Sequence, residues 1–217
     1  MNNRLARYLT NLPVKGQTHM LKKEFIRKII HISGGFIVIL ANINTIATFY
    51  ALAAVTALFI GAEALRLKNI PVPLIAYVTH MAGRGNIKNT PVLGPVTLAL
   101  GIMLSMALFP LPAASIAILA LTFGDGVASL VGKTFGLIKP AVMHGKSIEG
   151  SLACFIAVLC STYFLGYFYQ FPAPFLLACT VAAAATATEA LPLKSFDNIA
   201  IPLVSGLTVL IMLMLVP

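Results

Sequence analysis

Apolar residues along this chain gather into long unbroken runs, without the strict alternation of a half-buried strand or the narrow stripe of a surface helix. The runs fall at about 29–43, 45–65, 92–110, 113–131, 151–169, 173–190 and 199–216. In lipid a run of this kind satisfies its own backbone only as a helix. The pattern predicts an all-α integral membrane protein of about seven transmembrane helices. Several runs lie near or below the ~20 residues that cross a bilayer core, so their boundaries are soft and the first could be re-entrant. PVPLIAYVTHMAG (71–83) is too short to span and is expected at the interface.

Charge then orients the pattern. Residues 1–28 carry Arg4, Arg7, Lys15, Lys22, Lys23, Arg27 and Lys28 with no long apolar core, which predicts a basic amphipathic cytoplasmic segment ahead of a single transmembrane catalytic domain, 29–217. Arg66, Lys68, Arg84 and Lys88 follow the second run, Lys133, Lys139 and Lys146 the fourth, and Lys194 the sixth. The loops at 41–44, 109–112 and 169–174 hold no charge at all. By the positive-inside rule the N-terminus is cytoplasmic and the C-terminus outside. A net charge of +9 in a chain that is 59% hydrophobic then records topology and anionic lipid contact, and nucleic acid is excluded as a partner. Cys154, Cys160 and Cys179 lack metal-ligand spacing and read as free thiols.

Of six acidic residues, Glu63, Asp125, Glu149, Glu189 and Asp197 fall at or near the cytoplasmic ends of successive runs, which suggests a shared polar site. Asp125 lies deepest, in FGDGVASLVGKTFG (123–136), where an ionisable group costs roughly 2.5–3.5 kcal/mol and needs a partner, a cavity or a task. Gly124 and Gly126 clear space beside it for a ligand or another backbone. Asp125, Ser129, Gly132 and Gly136 recur on one helical face, with Lys133 at the exit. In HGKSIEG (144–150), Ser147 is a candidate N-cap, and Lys146 and a helix N-terminus ending at Gly150 suit phosphate. Glu149 is either an ordinary first-turn acid or a catalytic one, and His144 can be a loop residue without duty. Pro202 deprives the Asn198 carbonyl of its helical donor, and Asp197 beside Asn198 makes a hard-oxygen setting suited to Mg²⁺, or a cap and a kink. Lys28 and His31, three apart, either snorkel at the interface or meet a phosphate or lipid headgroup. Glu63 and Arg66 can simply pair with each other.

These motifs, with RKIIH (27–31), EALR (63–66) and the later EALP and DNIAIP (189–202), resemble the polyprenol kinase family: dolichol, phytol and farnesol kinases and CTP-dependent diacylglycerol kinase. That family is related to the phosphatidate cytidylyltransferases. The resemblance covers about residues 22–210. It implies transfer of the γ-phosphate of CTP to the hydroxyl of an isoprenoid alcohol of phytol, farnesol or geranylgeraniol type, or of diacylglycerol. The chain is short beside dolichol kinases, which turns the expectation away from dolichol. By the resemblance, Asp125 with Asp197 or Glu149 holds Mg²⁺, Lys133 and Lys146 meet the triphosphate, and Glu149 or Asp197 is the base. The metal and base roles are exchangeable. Glu189, Glu63, Arg66, Lys28, His31 and Asn198 complete the expected nucleotide site. The expected partners are the lipid alcohol, CTP and the bilayer, with a homodimer left open. The site is expected to face the cytoplasm, from the plasma membrane in a prokaryote. A cytidylyltransferase that makes a CDP-lipid, and a secondary transporter, are the rival readings.

Overall fold

The computed structural model describes residues 15–70, 72, 79 and 90–216, without the side chains of 15–23 and 194. Arg4, Arg7, Arg84, Lys88 and most of the stretch 71–83 lie outside the described residues, as do the side chains of Lys15, Lys22, Lys23 and Lys194.

Every regular element among the described residues is helical. Helix α1 (Lys15–Ser33) runs without a break across the 28/29 boundary, through a 3₁₀ turn at Gly34–Phe36, into α2 (Ile37–Ile43). Asn44 ends this rod and caps α3 (Thr45–Leu67), its side chain accepting from the Ala47 N–H at 2.9 Å. Then come α4 (Gly94–Leu108), entered through Pro95, and α5 (Leu111–Leu119). A π-helical turn (Ala120–Asp125) joins α5 to α6 (Gly126–Phe135). Helix α7 (Ile148–Phe168), α8 (Pro174–Ala190) and α9 (Asp197–Leu215) complete the order.

Five of these rods are long and apolar enough to cross a membrane among the described residues: Glu24–Ile43, Thr45–Leu67, Leu111–Phe135, Ile148–Phe168 and Asp197–Leu215. Helices α4 and α8 are apolar but have 15 and 17 residues, and fall short of a ~30 Å core at ~1.5 Å per residue. Proline sets these lengths. Pro95 and Pro174 start the two helices, and Pro110 and Pro192 follow their ends.

Leu111–Phe135 is the most enclosed of the five rods and α3 the least. The packed centre is formed by Ile116, Leu121, Val158, Val181, Ile201 and Val209, which are fully or almost fully buried. Ala178, Ala182 and Ala185 are also fully buried, and their small side chains let α8 lie close along α7. At one end of the bundle, the Tyr169 hydroxyl donates to Asn42 Oδ1 at 2.7 Å and meets Ser115 Oγ at 3.0 Å, tying together the uncharged loops. The ionic contacts described next lie at the other end.

Pro202 sits inside α9, so the Asn198 carbonyl lacks its usual donor. The carbonyl is turned toward Gly101 on α4. The carbonyl lies so close to Gly101 that any side chain there would collide with it. The Asn198 side chain donates to Thr97 Oγ1 at 2.9 Å, binding α9 to α4 and leaving the amide committed within the protein.

Candidate functional site

Asp125 closes the π-helical turn, ten residues before the end of α6, or about 15 Å along the axis. A wide turn of this kind displaces the following side chains around the helix and is frequent at functional sites. Here it delivers the carboxylate to α1. Lys28 Nζ donates to Asp125 Oδ2 at 2.6 Å, and His31 Nε2 stands 3.3 Å from the same oxygen and 3.3 Å from the Leu121 carbonyl. Lys28 is 4% exposed and Asp125 7%, so neither charge reaches open water and each supplies the other's partner. Lys28 points inward and does not snorkel.

The glycines beside Asp125 serve two neighbouring helices. A side chain at Gly126 would run into Ile32 of α1, and a Cβ at Gly124 would stand 2.8 Å from Val158 of α7. Further along, a Cβ at Gly132 would meet Ser147 Oγ at 3.0 Å, and one at Gly150 would reach the Ala128 carbonyl at 2.8 Å. A side chain at Gly136 would strike the Gly132 carbonyl and Ser147. These glycines bring α6, α7 and the loop between them into contact. Ser147 caps α7 as its position suggests, accepting the Gly150 N–H at 3.1 Å.

Two cavities meet at this end. A polar cavity of about 470 Å³ is lined by Ser129, Gly132, Lys133 and Asp125 from the central rod. Lys139, His144, Lys146, Ser147 and Gly150 come from the loop and the start of α7, and Glu189 and Asp197 close it. An apolar cavity of about 350 Å³ lies between α1–α2, α3 and α4, walled by Ile37, Leu52, Val55, Phe59, Ala99 and Ile102 among others. Arg27, Lys28, His31 and Asn198 stand at its polar end. Asp125 and Asp197 line both cavities.

Each acid at the site has a basic partner. Lys146 Nζ donates to the Glu189 main-chain carbonyl, stands 3.1 Å from Glu189 Oε1 and 4.0 Å from Asp197 Oδ2. Asp197 Oδ1 accepts the Asn198 N–H at 3.0 Å. Lys133 pairs with Glu24 at 2.5 Å, and Arg27 pairs with the same carboxylate. Ser129 Oγ lies 3.5 Å from Glu24 Oε1. Glu24 is the residue that the pattern of acids passed over, because it precedes the first apolar run. Its signal was present all the same: Glu24, Arg27, Lys28 and His31 are spaced i, i+3, i+4, i+7, one face of a helix.

Of the five acids expected together, Asp125, Glu189 and Asp197 converge and two do not. Glu63 stays on α3, where it takes a bidentate contact from Arg66 at 2.7 and 2.8 Å and accepts from the Val92 N–H at 2.8 Å and the Thr79 hydroxyl at 3.2 Å. Arg66 also donates to the Thr90 carbonyl, so this pair fastens α3 to residues 90–92 away from both cavities. The Glu149 carboxylate turns back onto the loop. It accepts the Leu137 and Ile138 N–H groups at 3.1 Å each and lines neither of these cavities. Three His, Cys, Asp or Glu side chains do not gather around any one point among the described residues.

Apolar helices long enough to cross a membrane, with buried acid–base pairs and a polar cavity beside an apolar one at one end of the bundle, fit an integral membrane protein. Over 188 residues, 85% of this chain and 77% of the relative, the sequence is 34% identical to the phytol kinase of Synechocystis sp.. It is 30% identical over 124 residues, 52% of this chain and 57% of the relative, to the CTP-dependent diacylglycerol kinase 1 of Schizosaccharomyces pombe. The protein of the same name from Eremothecium gossypii is 34% identical over 70 residues, 32% of this chain and 22% of its own. No family model and no solved structure matches. The chain belongs to the polyprenol kinase family of lipid kinases.

Proposed function

We propose that this protein phosphorylates a membrane lipid alcohol of phytol or related isoprenoid type, with CTP as donor, at a site facing the cytoplasm. The observation that carries this reading is the pair of carboxylates common to both cavities. A triphosphate fits the polar cavity, where Lys146, Lys133 and the capped N-terminus of α7 supply cations and N–H groups. A prenyl chain fits the apolar cavity, which brings its hydroxyl to Asp125 and Asp197. The names of the relatives support the chemistry: the cyanobacterial relative is a phytol kinase, and the yeast relatives are CTP-dependent. The seven apolar segments, with the basic loops and the site at the same end, support a cytoplasmic N-terminus and an external C-terminus.

The donor set fits Mg²⁺. Magnesium retains several waters and takes one or two carboxylates together with substrate phosphates, so two hard carboxylates lining a phosphate-sized cavity meet its requirement without a third protein ligand. Asp125 and Asp197 would hold it, and when bound it neutralises charge on the transferring phosphoryl group. Lys146 exchanges its contacts with Glu189 for the phosphates. Among the described residues the nearest cation to the Asp197 carboxylate stands 4.0 Å away, against 2.6 Å for Asp125, so the Asp197 oxygen not given to the metal is the better placed acceptor for the alcohol proton. The alcohol oxygen forms a bond to the γ-phosphorus, the bond from that phosphorus to the β,γ-bridging oxygen breaks, and CDP departs.

Purified protein in vesicles, given CTP labelled at the γ-phosphate and a panel of phytol, farnesol, geranylgeraniol and diacylglycerol, tests the proposal. Label in the lipid is the expected result. Label released only as pyrophosphate would make the protein a cytidylyltransferase and overturn it.

A further inference from the structure

Between Phe135, the last residue of α6, and Ile148, the first of α7, the loop has two unlike faces. Lys139, Met143, His144 and Lys146 line the polar cavity. On the other side Phe135, Leu137, Ile138 and Val142 are exposed, Leu137 by 81% and Val142 by 79%. Flexibility does not account for this exposure, because the loop is bonded throughout. Glu149 holds the Leu137 and Ile138 N–H groups, and the Ile148 N–H returns to the Ile138 carbonyl at 3.0 Å. A 3₁₀ turn spans Ala141–Met143, and His144 and Gly145 reverse the chain with φ of 47° and 92°. The four apolar side chains stand exposed on a backbone fixed by these bonds, and large exposed apolar residues grouped on one short loop mark a binding face.

We propose that this loop is seated in the headgroup–acyl boundary of the bilayer, with its apolar side chains inserted and its basic side turned to the polar cavity. Two observations select the bilayer as occupant. The loop continues directly from the Leu111–Phe135 rod, whose 25 residues give about 37 Å of helix, longer than the ~30 Å hydrocarbon core but within the ~40–45 Å that includes the headgroups. The loop from Gly136 to Ser147 also holds no acidic residue, so its outward side carries nothing that anionic headgroups would repel. The membrane surface thereby becomes one wall of the mount that holds the cavity's loop in place.

The sequence has no tryptophan, so Leu137→Trp and Val142→Trp each introduce a single indole, excited selectively above the tyrosine band, at a side chain that is about four-fifths exposed. Each variant is reconstituted in vesicles containing anionic lipid, with bromine at defined acyl positions. Seating at the boundary gives blue-shifted emission quenched most by bromines near the top of the chain, about 5–10 Å below the headgroups. Emission at the wavelength of a water-exposed indole, unquenched by any bromolipid, would overturn the proposal. So would emission shielded from lipid and water alike in proportion to protein density, which would assign the face to a second copy of the chain. The readout is independent of catalysis, so it stands or falls apart from the assigned reaction.

Discussion

Removing either member of the Lys28–Asp125 pair should cost more than its chemistry alone. Lys28→Met leaves a carboxylate at 7% exposure without its cation, and Asp125→Asn leaves an ammonium at 4% exposure without its anion. Breaking a buried pair from one side typically costs about 3–5 kcal/mol, because the survivor remains desolvated and uncompensated. For a chain of this length ~1 kcal/mol moves the melting temperature by about 2–4 °C, so each single variant should melt roughly 6–20 °C below the parent. The double variant removes both charges together and should melt well above the sum of the two losses. Cys154, which is fully buried, provides the assay. With Cys160 and Cys179 changed to Ser, a thiol-reactive dye reports only the unfolding of the core in detergent. Lipid phosphorylation should be lost in both variants that lack the Asp125 carboxylate, since the double variant recovers the fold and not that group. Single variants that melt with the parent, or a double variant whose losses simply add, would refute the reasoning.

Two further tests separate the roles of neighbouring parts. Glu149→Ala should release the loop, so that trypsin cuts faster after Lys146 and the KM for nucleotide rises while kcat is largely kept. Loss of kcat with an intact loop would return Glu149 to catalysis. Ala99→Phe places a ring in the apolar cavity and should raise the KM for the lipid alcohol by about tenfold or more without changing the KM for nucleotide, measured by steady-state kinetics in mixed micelles.

The positions of the apolar rods were legible in the sequence. A run of 15 to 25 apolar residues has one way to satisfy its backbone in lipid, and proline, glycine and an Asn or Ser cap mark its ends. The expected 45–65 became Thr45–Leu67 and the expected 199–216 became Asp197–Leu215. Asp125 was legible as well, because a lone carboxylate in such a run requires an explanation. So was the carbonyl freed by Pro202, though not that it would lie against Gly101 of α4.

Partner choice was not legible. Five acids at one end of the bundle look equivalent in one dimension, yet Glu63 is consumed by Arg66 one turn away and Glu149 by N–H groups of its own loop. Only Asp125, Glu189 and Asp197 are turned toward the cavities, and Lys28 and Lys146 reach them from elements that the sequence keeps 97 and 43 residues from Asp125 and Glu189. Local pattern determines which segments enter the membrane, since burial in lipid acts on each segment by itself. Which charge meets which depends on the rotation of every helix about its axis, and the packing of the whole bundle sets that rotation.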